Sequence, residues 1–309
     1  MLKYKSKFDY LGVIVSDTGL LKEDVKFFID RKCGNISVKF TNFCKTNKHA
    51  PLHVKLDVLD KCAKASLIYG SETWGSNIMD VERCYRAGLK TALGVRQNLN
   101  NEIVHIESGR WPLRAQIKSL QLKFWLQIST YIVDNPDSAV AKIYNIGVQS
   151  KSSYLHYYQK LERDYGEPKT CFESIKDHTF QSYKEKIALH HATDSNSKLG
   201  TYLQVNPSLS SYVPDPQKIL ELERELTTRF RTGSHSLAIE TGRYSNIPRE
   251  NRICSCGTGV QTVWHVFAEC PLTRSIVQKE YANVNEIFED ENVHQVILSI
   301  TKKLKVQMW

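Results

Sequence analysis

The stretch ICSCGTGVQTVWHVFAECP, residues 253–271, constrains this chain more than any other. It holds Cys254, Cys256, His265 and Cys270 at the spacing Cys-x-Cys-x8-His-x4-Cys. Thiolate and imidazole are natural donors to tetrahedral Zn2+, and four protein ligands make a closed, structural site. Two cysteines on a tight turn, then a histidine and a cysteine about one helical turn apart, can converge on one ion. Gly257 and Gly259 follow the first pair and tolerate the bends such a turn needs. VWHVFAEC reads as a short helix packed through Trp264 and Phe267. A structural zinc ion is the expected cofactor. Two other arrangements stay open: three buried thiols in a small core, or a Cys254–Cys256 disulfide, which is strained and disfavoured inside a cell.

The other five cysteines (Cys33, Cys44, Cys62, Cys84 and Cys171) are scattered, as buried intracellular thiols usually are. At 309 residues, with 41% hydrophobic and 24% charged, the chain has room for two or three globular domains. No run approaches the roughly 18 apolar residues of a membrane span, and MLKYKSKFDYLG lacks the apolar stretch of a signal peptide. An intracellular, soluble chain is expected. The net charge is +9 and is unevenly spread. Between residues 83 and 123 stand Arg83, Arg86, Lys90, Arg96, Arg110, Arg114, Lys118 and Lys123 against only Glu102 and Glu107, a local net of +6. Such an excess attracts a polyanion, most often nucleic acid; the plainer reading is a solvated helix face.

FDYLGVIVSDTG, residues 8–19, reads as a β-branched strand ending in a turn. From Leu21 the spacing becomes helical. Val25, Phe28, Ile29, Ile36, Phe40 and Phe43 recur as far as Cys44, with Gly34-Asn35 as a candidate kink. Pro51 opens a second helix whose inner face reads as Val54, Val58, Cys62, Ala65 and Tyr69, ending at Gly70. DVERCYRAGLKTALG, residues 80–94, is punctuated by Asp80 as N-cap and Gly94 as terminator. Val81, Cys84, Tyr85, Gly88, Leu89 and Ala92 face inward, and Arg83, Arg86 and Lys90 share an outward stripe. After a short helix at 101–107, Pro112 starts a longer one reaching about Val133, with Arg114 and Lys118 one turn apart. Two further helices, near 151–165 and 171–191, are rich in tyrosine and lysine; their rings could offer surfaces for base stacking, and the plainer reading is that they pack the helices together. Residues 217–235 give a last long helix with acids leading and arginines trailing, as the helix dipole favours. The adjacent His190 and His191 point about 100° apart on a helix and are not expected to hold a metal.

Several short stretches together resemble a family. KYKSKFDYLGVIVSDTG is similar to the segment just after the catalytic palm of non-LTR retrotransposon reverse transcriptases. ASLIYGSETW resembles their thumb signature, and RAGLKTALGV the next thumb helix. FRTGSHSLAIETGRYSNIPRENRICSCG, followed by TVWHVFAECP, resembles the C-terminal Cys-Cys-His-Cys region of jockey-like and related elements. The matches keep their order across residues 4–271. The resemblance implies that Cys254, Cys256, His265 and Cys270 ligate zinc and that helices around 54–69, 80–93 and 112–133 form a thumb holding the template-primer duplex. Arg83, Arg86, Lys90, Arg114 and Lys118 become candidate backbone contacts, with Arg243, Arg249 and Arg252 serving RNA near the knuckle. The family's aromatic-Ala-Asp-Asp palm motif, which holds two catalytic metals, is absent. The resemblance begins after the palm, so the chain is expected not to polymerise on its own. Pro214-Asp215 and Glu221 lack the Glu-x-Lys that would complete a nuclease centre.

The expected fold is mainly α: a short N-terminal β segment at 1–20, a helical thumb-like bundle at 21–133, a helical connector at 134–216, and a C-terminal domain at 217–309 carrying the zinc knuckle. The expected function is a non-enzymatic, nucleic-acid-binding segment. Its partners are RNA and RNA–DNA heteroduplex, with no membrane or small-molecule substrate, in a nuclear and cytoplasmic ribonucleoprotein. The alternative is a helical protein-interaction module derived from such an element.

Overall fold

Apolar residues at three- and four-residue spacing dominate the chain after Leu21, and the described residues are accordingly mainly helical. The computed structural model describes residues 7–10, 13–16, 21–73, 76, 78–215 and 217–305. Leu11, Gly12, the Asp17-Thr18-Gly19 turn, Trp74 and Pro216 lie outside them, as do the side chains of Val25 and Phe28.

Two four-residue strands, β1 (Lys7–Tyr10) and β2 (Val13–Ser16), pair antiparallel with Phe8 opposite Val15. The helices are α1 (Leu21–Thr46), α2 (Leu52–Val58), α3 (Ala65–Ile68), α4 (Met79–Leu93), α5 (Asn101–Ser108), α6 (Leu113–Asp134) and α7 (Ala139–Gln149). They continue as α8 (Ser153–Tyr165), α9 (Pro168–Thr193), α10 (Lys198–Val205), α11 (Glu221–Arg231), α12 (Ala238–Tyr244), α13 (Val284–Glu289) and α14 (Val293–Lys303). None is long and apolar enough to cross a membrane.

The chain divides into two units, each built from separated stretches. The first takes Met1–Asn42, Asp57–Gly88 and Trp111–Gln181; the second takes Phe43–Leu56, Leu89–Arg110 and Ser182–Trp309. In the first, α6, α8 and α9 bury Leu122, Trp125, Tyr158, Leu161, Cys171 and Ile175 together. Tyr154, Tyr157 and Tyr158 of α8 are packing residues with hydrogen-bonded hydroxyls or ring contacts. Tyr157 donates to Gln121 Oε1 at 2.8 Å, Gln121 Nε2 donates to the Ser71 carbonyl at 2.8 Å, and the Tyr158 ring lies 5.8 Å from Trp125. In the second unit, α11 and α14 pack around Leu226, Phe230, Phe288, Ile297 and Ile300, and Val266 and Phe267 join the same core.

Two local readings are corrected. The helix after Pro51 buries Leu52, Leu56, Leu59, Ala63 and Leu67, and leaves Cys62, Ala65 and Tyr69 exposed. The leucines carry more apolar area than the Val-Cys-Ala stripe, and a π-helical turn at Leu59–Lys64 between α2 and α3 shifts the phase. α4 begins at Met79, so Asp80 sits in its first turn beside Arg83 rather than capping it. At the candidate kink of Gly34-Asn35, α1 stays helical.

Candidate metal centre and basic residues

The candidate centre is built on a hairpin and a π-helical turn. Ile253 and Val260 form an antiparallel bridge. The Cys254 N–H donates to the Gly259 carbonyl at 2.8 Å, and the Gly257 N–H donates to the Cys254 carbonyl at 2.9 Å. Gly257 has φ +77°, the left-handed conformation in which a side chain is strained. Cys254 and Cys256 therefore project from a tight, closed tip.

The second pair comes from His265–Glu269, a π-helical rather than an α-helical turn. The Cys270 N–H closes it on the His265 carbonyl at 2.8 Å. In an α-helix, residues five apart point about 140° away from each other; the wider π turn brings them toward one side. That geometry makes His-x4-Cys a usable ligand pair. The turn is anchored from below, because Val266 and Phe267 bury completely, each contributing on the order of 1.5–3 kcal/mol.

The four ligand atoms lie within 4.8 Å of one another, the one such group among the described residues. Cys254 Sγ and Cys270 Sγ are 3.8 Å apart, and Cys256 Sγ is 3.2 Å from His265 Nε2. Zn–S bonds of about 2.3 Å in a tetrahedron place two sulfurs about 3.8 Å apart, so the donor set fits zinc. No disulfide joins Cys254 and Cys256; all three cysteines are free. Burial raises the Cys254 thiol above its ordinary range. At Cys256 a burial penalty is outweighed by hydrogen bonds that the sulfur accepts from Thr258 and His265, which bring the thiol down to about 6 and favour the thiolate that a metal requires.

Three supporting residues were not evident in the spacing. His265 Nδ1 lies 3.3 Å from Glu269 Oε2, the carboxylate partner that orients a ligating imidazole. Gln261 Nε2 donates to Cys254 Sγ at 3.7 Å, while its Oε1 accepts from the Ala238 N–H at 2.7 Å. Thr258 Oγ1 lies 3.1 Å from Cys256 Sγ. Of these, only Glu269 leaves a sequence signal, four residues after His265 on a helical turn.

In comparisons with known protein families, curated proteins and solved structures, nothing matches the chain.

The basic residues separate by what their side chains already hold. In the first unit Arg83 is exposed and, among the described residues, makes only an exposed pair with Asp80 at 3.1 Å. Lys118 is half-buried, with no hydrogen bond or ion pair among the described residues. Arg86 Nη1 pairs with Glu82 Oε2 at 3.4 Å, and Glu82 Oε1 also accepts from the Arg114 N–H in the first turn of α6. Buried Glu82, its carboxyl pushed up chiefly by burial, thus draws Arg86 and Arg114 together. Arg114 Nη2 donates to Thr179 Oγ1 at 2.6 Å.

In the second unit Lys90 leaves the expected outward stripe: it is 8% exposed and donates to the Gln97 carbonyl at 2.8 Å. Its long stem lets it turn under the α4 terminus. Arg252 spends its guanidinium on the Ile247 and Ile239 carbonyls at 2.7–2.9 Å, fastening the approach to the hairpin onto α12. Arg243 donates to the Asn196 carbonyl at 2.6 Å and pairs with Glu240. Arg249 is exposed, with no partner among the described residues.

Proposed function

We propose that this chain is a nucleic-acid-binding segment of the kind that ends non-LTR retrotransposon reverse transcriptases, using a structural zinc knuckle and basic helices to hold template RNA and RNA–DNA heteroduplex. The reading rests on the convergence of Cys254, Cys256, His265 and Cys270 on one point, which is what the resemblance requires of its most specific motif. Arg83, Lys118 and Arg249 are the outward phosphate contacts. Arg86, Lys90, Arg114, Arg243 and Arg252 have protein partners and hold the surface in place. Phosphate contacts need charge and position but not base identity, which suits a clamp of low sequence specificity. The segment has no catalytic role of its own, and it would work in a nuclear and cytoplasmic ribonucleoprotein.

The test is RNA affinity against salt concentration for the zinc-loaded chain and for the triple variant Arg83→Glu, Lys118→Glu, Arg249→Glu. The wild type should weaken steeply with salt, and the variant's log–log slope should be shallower by about 2, at roughly 0.7 per lost single-strand phosphate contact. An RNA affinity that is absent at low salt would end the reading.

One observation favours the second reading, a protein-interaction module. In the first unit Phe124, Ile128, Ile132, Val140, Ile143 and Tyr144 line an open apolar groove, and Ile143 is 69% exposed. A patch of this kind is a usual docking surface for a partner protein.

A further inference from the structure

The second unit carries a cavity of about 240 Å3 separate from the metal ligands. α10, α12 and the turn after α11 wall it, with Trp264 and Arg249 contributing from the approaches to the knuckle. Gly233, at φ +65°, turns the chain sharply at the end of α11 and delivers His235 to the wall.

The lining has polar groups that the fold leaves only partly hydrogen-bonded. His235 is 4% exposed, and its Nδ1 accepts from the Leu237 N–H at 3.3 Å. A neutral ring accepting at Nδ1 carries its proton on Nε2. Burial, with Lys198, Arg96 and Arg243 nearby, pushes the His235 pKa down to about 3, so the ring is neutral. No described residue accepts from Nε2. Glu240 is also 4% exposed. Its Oε1 faces Arg243 Nε at 3.1 Å and its Oε2 faces Lys198 at 3.4 Å, yet Oε2 has no hydrogen bond. The cavity therefore combines a buried N–H donor with a buried carboxylate acceptor. Trp264 supplies an aromatic wall, its indole N–H held by Glu269 at 2.9 Å. Arg249 stands at the cavity without a partner among the described residues, and four cations, Lys198, Arg231, Arg243 and Arg249, line it with one carboxylate, Glu240.

We propose that this cavity takes a single unstacked nucleotide of an RNA strand, with the base against Trp264, its edge read by His235 and Glu240, and its phosphate at Arg249. The proposal rests on the nucleic-acid reading above and narrows it to single-stranded segments at this site. A base edge offers donors and acceptors side by side, and proteins that read RNA do so on splayed bases stacked against aromatic rings. Duplex bases are closed inside the stack and cannot enter. The volume lies just below the roughly 300–1,000 Å3 of drug-sized ligand sites, which suits one base and excludes a stacked pair.

Mononucleotides separate this site from the extended basic surface, because they engage a pocket without bridging many cations. The zinc-loaded full chain is titrated with each of the four ribonucleoside 5′-monophosphates and with inorganic phosphate, following the indole N–H signal of Trp264 by NMR. One nucleotide should bind tighter than the others and than phosphate. Arg249→Ala should weaken all four by about tenfold, the loss of one phosphate contact. Glu240→Gln should reorder the base preference, which a merely structural role would not do. Nucleotides binding no tighter than phosphate, while salt-sensitive RNA binding persists, would overturn the pocket and leave the broader reading standing. Binding of neither RNA nor nucleotides would remove both.

Discussion

Glu107 and Arg231, 124 residues apart in sequence, meet in a two-pronged ion pair inside the second unit: Arg231 Nη2 lies 3.0 Å from Oε1, and Nε lies 3.2 Å from Oε2. Glu107 is fully buried and Arg231 is 8% exposed. The Tyr202 hydroxyl donates to Glu107 Oε1 at 2.8 Å, and the Arg231 guanidinium lies 4.4 Å from the Tyr212 ring centroid. Removing one partner of such a pair strands the other charge in the interior, at a cost of about 3–5 kcal/mol. Glu107→Ala and Arg231→Ala should each lower stability by that order in urea unfolding. The double variant should cost clearly less than the sum, because it leaves no stranded charge. Additive losses would show that the two side chains do not act as a unit.

Neither residue stands out in the sequence. There Glu107 reads as an acid diluting a basic run, and Arg231 as a charge complementing the end of α11. A pairing across 124 residues leaves no local pattern, and the same holds for units assembled from interleaved stretches. What is legible obeys short-range rules. Apolar periodicity places α4 and α6, Gly94 ends α4 at φ +73°, and Pro112 precedes α6. The candidate ligand set is legible because metal chemistry restricts both residue type and spacing. The π geometry that makes its last spacing work is not, because propensity does not distinguish π from α turns. Lys90 is misread as outward because helical phase fixes where a side chain starts and not where a four-carbon stem ends.

Gln261 gives a test of the metal centre that leaves every ligand intact. Its amide supports Cys254 Sγ on one side and the start of α12 on the other. Outer-shell partners of metal ligands commonly contribute 10–100-fold in affinity. The wild type should bind one zinc ion per chain, and Gln261→Leu should still bind one, with affinity lowered by about that factor in competition with a chromogenic chelator. Cys270→Ser should lose far more. Chelation of the wild type should also lower its unfolding temperature, since metal binding free energy adds to folding free energy. Equal affinities for wild type and Gln261→Leu would remove Gln261 from the site.

His235 should give the chain an acid-sensitive stability. Its folded pKa, near 3, lies below the ordinary value of 6.5, so the buried ring resists the proton that the unfolded chain accepts. Above about pH 6.5 neither state is protonated, and His235 imposes no pH dependence. As the pH falls from there toward 3, the unfolded state gains a proton and stability declines, by at most about 1.4 kcal/mol per pH unit. In His235→Asn the amide oxygen can replace Nδ1 as acceptor of the Leu237 N–H, and the position no longer titrates. The variant's stability, measured by urea unfolding across this range, should fall less steeply than that of the wild type. Acid release of a metal held at the candidate centre would be common to both proteins and would cancel in the difference. Parallel curves would show that His235 is protonated in the folded state.

Two glycines should respond to alanine in opposite directions. Gly34 lies inside α1, exposed, and an added Cβ would meet nothing within 4 Å. Glycine in a helix interior leaves more backbone freedom in the unfolded chain than alanine does, so Gly34→Ala should stabilise by about 0.5–1 kcal/mol. Gly200 lies in the first turn of α10, where its N–H donates to Ser197 Oγ at 3.0 Å and its carbonyl lies 3.0 Å from His191 Nδ1. A Cβ there would fall 2.5 Å from the Asp194 carbonyl oxygen and 2.9 Å from Ser195 Cα, both main chain and unable to swing aside. Gly200→Ala should therefore destabilise by about 1–3 kcal/mol, as overpacking against fixed neighbours does. Thermal unfolding of the two variants separates the cases: a rise for Gly34→Ala confirms a helix with room on that side, and a rise for Gly200→Ala would mean that the main chain at 194–195 can move away from α10.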